Sequence, residues 1–238
     1  MTVAYAIYGG TSGERIESQG FDDIGAVPLV ADTNSLMPGL LKTLGCVNAG
    51  SRVVSTIAPS DAFGEQGFSN EQLTIPANET LVVVMDVVRI LDRAWGVDEP
   101  ATEGMPQVTL IAEGEPVVTI PDEAPPSELQ IAVLKRGDGD VVAEGSTVLV
   151  HYVGVSWDTK EIFDSSWTRP QAATFSLGGV VPGFADAIAG ETVGSQVIAV
   201  IPPELAYGPK TGAENEHQLA GQTLVFVVDI LFAVGPEQ

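Results

Sequence analysis

Val180-Val181-Pro182-Gly183-Phe184-Ala185-Asp186-Ala187-Ile188 opens a stretch that continues through Gln196–Ile201 to Pro203-Glu204-Leu205-Ala206-Tyr207-Gly208. Phe184, Ala187 and Ile188 fall at i, i+3 and i+4, so a short helix over 183–189 shows one apolar face. Ser195–Ile201 is rich in β-branched residues and ends at a proline pair, which reads as a strand. The same order occurs earlier in the chain. Pro38-Gly39 and Phe63-Gly64 each stand 144 residues before Pro182-Gly183 and Tyr207-Gly208, with no gap between them. Gly50/Gly194, Ser51/Ser195, Val53/Val197, Ile57/Ile201, Pro59/Pro203 and Ala62/Ala206 are identical at that offset.

Flanking blocks agree at slightly different offsets. Val3-Ala4-Tyr5 matches Val150-His151-Tyr152 at 147, with Glu14/Glu161 and Ser18/Ser165. Thr80-Leu81-Val82 matches Thr223-Leu224-Val225 at 143, with Asp86/Asp229. The blocks keep their order in both halves, which is the mark of a divergent tandem duplication.

Further strands in the second half are expected at Leu129–Arg136, Thr147–Val155, Ala173–Leu177 and Thr223–Phe232, with a tight turn at 137–140. One short helix against an antiparallel sheet is an α+β architecture. Between the repeats, Asp92 to Ser127 is acidic and punctuated by Pro and Gly, which reads as a linker. Within it, Gln107–Ile111 and Pro116–Ile120 flank Glu113-Gly114 as a short hairpin, an edge addition for either domain. The expected division is therefore 1–91, a linker over 92–127, and 128–238. The strand equivalent to 129–136 has no counterpart ahead of Met1. The expectation is either a sequence that starts inside its first domain or a first sheet with an open edge, for which the hairpin is a candidate cover.

The chain carries 32 acidic and 10 basic residues, a formal net charge of −22. That excludes nucleic-acid binding and docking on anionic lipid, both of which select clustered Lys and Arg, and it reads as a solubilising surface. Aromatics are only 6% of residues, so the cores must be built from Val, Ile, Leu and Ala. Cys46 has no partner for a disulfide and reads as a small buried hydrophobe. No apolar run has the ~20 residues of a membrane helix, so no direct insertion is expected. The start, MTVAYAIYGG, does not have the shape of a signal peptide.

Five motifs in order carry a resemblance: Val150-His151-Tyr152-Val153-Gly154, Ile162-Phe163-Asp164-Ser165-Ser166, Val180-Val181-Pro182-Gly183-Phe184, Pro203–Gly208 and Thr223-Leu224-Val225-Phe226. Together they resemble peptidyl-prolyl cis-trans isomerases of the FKBP type, the macrolide-binding immunophilins. The resemblance implies two FKBP-like domains, each a curved antiparallel sheet wrapped around a short helix, with a proline-binding aromatic pocket between them. Matched residue by residue, it places Tyr152, Phe163, Asp164, Phe184, Tyr207 and Phe226 in the catalytic pocket, with Val180 and Val181 binding substrate. It implies no cofactor and no metal, proline-containing polypeptides as partners, and rapamycin-type macrolides as ligands. It also suggests a cell-envelope or extracellular setting. Three departures stand out. Phe184 replaces the usual Trp and should leave the pocket shallower on one side. Ala173 stands where an aromatic is common. The loop 209–222 reads Glu214-Asn215-Glu216-His217-Gln218 in place of an Ile-Pro-Pro run.

Rotation about a peptide bond faces ~18–20 kcal/mol, and uncatalysed X-Pro exchange takes tens to hundreds of seconds. No bond breaks, so the requirement is a site that favours the twisted amide. The rings would supply apolar walls. Tyr152 and Tyr207 would offer hydroxyls at the rim, and Asp164 would orient Tyr152 or meet a substrate N–H. Asp164 also suits a plain turn role. His151 alternates with Tyr152 and points to the opposite face, and neither His151 nor His217 reads as a metal ligand. The first repeat carries Tyr5, Ile16, Glu17, Leu40, Phe63 and Val83 at the matching positions, which fill a core but make a poor stacking pocket. The expectation is an isomerase in the second domain and an inactive first domain. The alternatives are a non-catalytic peptide-binding or chaperone module, or a pair of structural spacers.

Overall fold

The computed structural model describes residues 1–21, 25–29, 36–45, 47–70, 73–112, 114–169, 172–212 and 217–236. Cys46, Glu113 and Glu214-Asn215-Glu216 lie outside the described residues. The chain divides into two compact units, Met1–Leu91 and Asp92–Gln238. No helix is long and apolar enough to cross a membrane among the described residues.

The first unit contains β1 (Thr2–Gly9), β2 (Arg15–Gln19), β3 (Val27–Pro28), α1 (Pro38–Leu44), β4 (Arg52–Ile57), β5 (Phe68–Ser69), β6 (Thr74–Ile75) and β7 (Leu81–Arg89). Its main antiparallel sheet runs β2-β1-β7-β4, with β3 also on β1. Exposed residues alternate with half-buried ones along β4 and buried with half-buried ones along β7, so the sheet buries one face more than the other. Val3, Leu40, Leu44, Ile57, Leu81, Val83 and Met85 form the core between sheet and helix. β4 ends the sheet, and among the described residues no strand pairs with its outer edge.

The second unit contains β8 (Val97–Asp98), β9 (Gln107–Leu110), β10 (Pro116–Thr119), β11 (Gln130–Arg136), β12 (Thr147–Ser156), β13 (Ile162–Ser165), β14 (Ala173–Ser176), α2 (Pro182–Ile188), β15 (Gln196–Ile201) and β16 (Leu224–Val234). Its sheet runs β13-β12-β16-β15-β11-β8, with β14 also on β12, and is antiparallel throughout. The architecture is α+β in both units. α1 and α2 stand 144 residues apart, as do β4 and β15. Both helices begin at a proline, whose fixed φ suits the first turn. Both also carry a glycine where a Cβ would strike the facing strand, 2.2 Å from Ile57 Cγ2 at Gly39 and 2.4 Å from Ile201 Cγ2 at Gly183.

The segment 92–127, expected as a linker, belongs to the second unit. Its hairpin forms as read, with Leu110 opposite Pro116 and Gln107 opposite Thr119. Met105, Val108, Val118 and Ile120 pack on Val153, Val155, Trp157, Ile198, Val200, Val225 and Val227, the outer face of the sheet. Trp157 donates its indole N–H to Glu123 O at 3.0 Å. The buried Asp229 accepts the Ala94 N–H at 2.8 Å and the Gln196 amide at 2.6 Å. Both faces of this sheet are thus covered, and β15 is buried at every residue.

Candidate active site

Period-2 alternation on β12 puts Tyr152 and Gly154 on the face that α2 covers. Gly154 lies opposite Phe226 of β16 and Asp164 of β13. A Cβ at Gly154 would lie 2.6 Å from Phe163 Cζ and 3.0 Å from Phe226 Cε1, so only glycine lets these two rings meet. They meet edge to face, with centroids 5.4 Å apart. Phe184, projected from the first turn of α2, packs edge to face on Phe226 at 5.1 Å. These rings and their neighbours enclose one cavity of about 300 Å³.

All eight residues expected at the site line that cavity: Tyr152, Phe163, Asp164, Val180, Val181, Phe184, Tyr207 and Phe226. Phe175 and Gly179 complete it. Sequence reasoning noted the missing aromatic at Ala173 and passed over Phe175. Two residues along a strand is the same face, and the Phe175 ring stands edge to face with Tyr152 at 5.6 Å and Phe184 at 5.9 Å. Alternation was the signal that should have found it.

The Tyr152 hydroxyl is not at the rim. The residue is 4% exposed, and its hydroxyl donates to Asp164 Oδ2. Arg169, which sequence reasoning also missed, donates to the Tyr152 hydroxyl at 2.9 Å and to Asp164 Oδ1 at 3.1 Å. Burial, with the Asp164 bond second, pushes the Tyr152 hydroxyl up to about 12, so it stays a proton donor at neutral pH. Asp164 keeps half of its side chain exposed, at the cavity mouth. Tyr207 is 39% exposed there, its ring stacked on His217 at 3.7 Å and 6°. His151 faces away and stacks on Trp167 at 4.4 Å.

The first unit has the same backbone register and different side chains. Ile7 lies opposite Val83 and Glu17, as Gly154 lies opposite Phe226 and Asp164. Ile7 therefore stands where Gly154 leaves room for Phe163, and Ile7, Leu40 and Val83 are buried in one apolar cluster with Ile16 packed on it. Tyr5 still donates to Glu17 Oε1 at 2.8 Å, and burial raises its pKa. Phe63 turns to Phe68, with ring centroids 5.1 Å apart.

Comparison with known proteins adds the family. Residues 139–231 match the model of the FKBP-type peptidyl-prolyl cis-trans isomerase family. The chain is 41% identical over 119 residues to a probable FK506-binding protein of Corynebacterium glutamicum, covering 50% of this chain and 98% of that one. It is 41% identical over 119 residues to an FK506-binding protein of Streptomyces anulatus, covering 49% and 95%. It is 40% identical over 99 residues to the FKBP-type peptidyl-prolyl cis-trans isomerase FkpA of Escherichia coli, covering 42% and 35%. A ring-lined cavity formed by the matched residues, in a chain this similar to those proteins, leads to one assignment: the chain belongs to the FKBP-type peptidyl-prolyl cis-trans isomerase family.

Proposed function

We propose that the second unit accelerates rotation of X-Pro bonds in unfolded or exported polypeptides, at the cavity between Tyr152, Phe163, Phe184 and Phe226, and that the first unit does not. The observation that carries this reading is the set of edge-to-face rings made possible by Gly154. A prolyl ring seats among Phe163, Phe184, Phe226 and Val181. The planar amide is the more polar form, because resonance places charge on its oxygen and nitrogen. Apolar walls therefore disfavour the planar forms more than the twisted one and lower the barrier. The bonds from Asp164 and Arg169 hold the Tyr152 ring in place as a wall. Asp164, exposed on its outer side, accepts an N–H of the substrate backbone, and Tyr207 at the mouth offers its hydroxyl to the rotating carbonyl. None of these groups transfers a proton in the reaction. A rapamycin-type macrolide would occupy the same cavity, and an envelope or extracellular setting would supply unfolded clients.

Exchange spectroscopy on a short proline peptide tests this with the full chain. Acceleration that a macrolide abolishes is expected, with Phe163→Ala slowing the reaction more than Tyr207→Phe. A rate equal to the uncatalysed one would overturn the proposal.

A further inference from the structure

Tyr207 is held differently from the other rings of the cavity. Tyr152, Phe163, Phe175, Phe184 and Phe226 brace one another edge to face and belong to the core of the second unit. Tyr207 is not part of that core, and it is 39% exposed. Among the described residues its hydroxyl has no hydrogen-bond partner, and its ring meets one other ring, the imidazole of His217, which lies flat on it. That imidazole is fixed from behind. The Leu219 N–H donates to His217 Nδ1 at 3.2 Å, which leaves the proton of the neutral ring on Nε2. The Ala220 N–H bonds His217 O at 2.9 Å, and the Gly221 N–H reaches Gly208 O at 2.8 Å, so the turn is tied to the residue next to Tyr207. Leu219 packs on the core and Ala220 is buried. His217 itself lies outside the cavity lining. In the first repeat the counterpart Phe63 packs on its own core and meets Phe68 at a tilt of 37°, with no hydroxyl to place.

We infer that His217 is a positioning residue for the reaction: its imidazole clamps the Tyr207 ring at the cavity mouth and so fixes where the hydroxyl meets the rotating carbonyl. This rests on the reading of the cavity as an isomerase site. Tyrosine χ1 has three staggered wells. A ring at the surface, with no bond to its hydroxyl, is free to visit all of them unless something fills the space beside it. The stack selects one well before substrate arrives, so the ordering of Tyr207 is not charged to the reaction itself. Releasing the ring to its three wells would dilute the productive one about threefold. His217 acts through Tyr207 and makes no contact of its own with a prolyl ring in the cavity.

Three exchanges at this position in the full chain separate the ring from the turn. His217→Phe keeps a flat ring and loses the Nδ1 acceptor. His217→Asn keeps an acceptor for the Leu219 N–H and loses the ring. His217→Ala loses both. On a short proline peptide, kcat/KM should fall about threefold in the Ala and Asn variants, with His217→Phe keeping most of the wild-type value. In a Tyr207→Phe background, where no hydroxyl is left to place, His217→Ala should cost nothing more. In the tyrosine-labelled chain without substrate, the Tyr207 ring protons should move downfield in the Ala and Asn variants, as the shielding of the stacked imidazole is lost. Full activity in His217→Asn with a loss in His217→Phe would make the residue a turn former and overturn the inference. So would additive losses in the Tyr207→Phe background, or ring shifts unchanged by His217→Ala. The ring shifts need no turnover, so a wild-type chain without isomerase activity would strike the isomerase reading while the stack stayed measurable.

Discussion

The first and second units share the order and register of four strands and the position of the helix, yet among the described residues only the second holds a ring-lined cavity. The difference reduces to a few exchanges. Gly154 and Phe163 correspond to Ile7 and Ile16, Phe184 to Leu40, and Phe226 to Val83. In the second unit a missing side chain at 154 makes space that a ring from the next strand occupies from the side. In the first unit the backbone position carries its own aliphatic chain, and the space closes into core. A fold can therefore keep its scaffold and lose its hollow through side-chain volume alone.

The largest effect should come from making the second unit like the first at one position. Gly154→Ile should drive Phe163 away from Phe226 and cut kcat/KM by about 100-fold or more, a loss of ~2.7 kcal/mol of transition-state stabilisation. Overpacking should also lower stability by ~1–3 kcal/mol, to be read from urea unfolding. Activity within a few fold of wild type would break the comparison.

Tyr152→Phe should act more mildly. It removes the hydroxyl shared by Asp164 and Arg169, a bond of the charge-assisted kind. A fall in kcat/KM of about tenfold is expected, with the rings still in place.

The duplicated carboxylates sharpen the contrast through pH. Burial raises the pKa of Asp229 above its ordinary 3.8, partly offset by the bonds from Ala94 and Gln196. The folded state then binds the proton more readily than the unfolded one, so stability is gained as pH falls from the folded value toward 3.8. Asp86, its counterpart, is lowered by its bond to Arg52. Its contribution is present above the ordinary value and lost as pH falls through the depressed one. Thermal melts of wild type and Asp229→Asn should diverge in favour of wild type on acidification, whereas a gap independent of pH would contradict this. The smallest effect is Arg52→Ala. That side chain is two-thirds exposed, and its removal should leave Tm within about 2 °C by calorimetry.

Much of this was legible in the residues. The helix at 182–188 and the strands β11, β12, β14, β15 and β16 follow periodicity and turn chemistry, and the eight pocket residues follow their motifs. Three features escaped for physical reasons. Gly154 has no side chain to announce itself, and its role depends on a ring from a neighbouring strand. Arg169 reaches Asp164 from an irregular loop, where spacing carries no orientation. The segment 92–127 has the acidic, Pro- and Gly-punctuated composition of a linker, yet it covers a sheet face. The strands do not announce the cover: β16 is apolar on successive residues, as strands covered on both faces are, yet so is β7, along which buried and half-buried residues alternate.

The central claim is that proline is gripped in the second unit only. Titrating the ¹⁵N-labelled full chain with a short proline peptide tests it most directly. The account predicts amide shifts that saturate together at Tyr152, Phe163, Phe175, Phe184 and Phe226, with Tyr5, Ile7, Ile16, Leu40 and Val83 unmoved. Saturable shifts centred on Tyr5 and Val83, or none around Phe184, would contradict it.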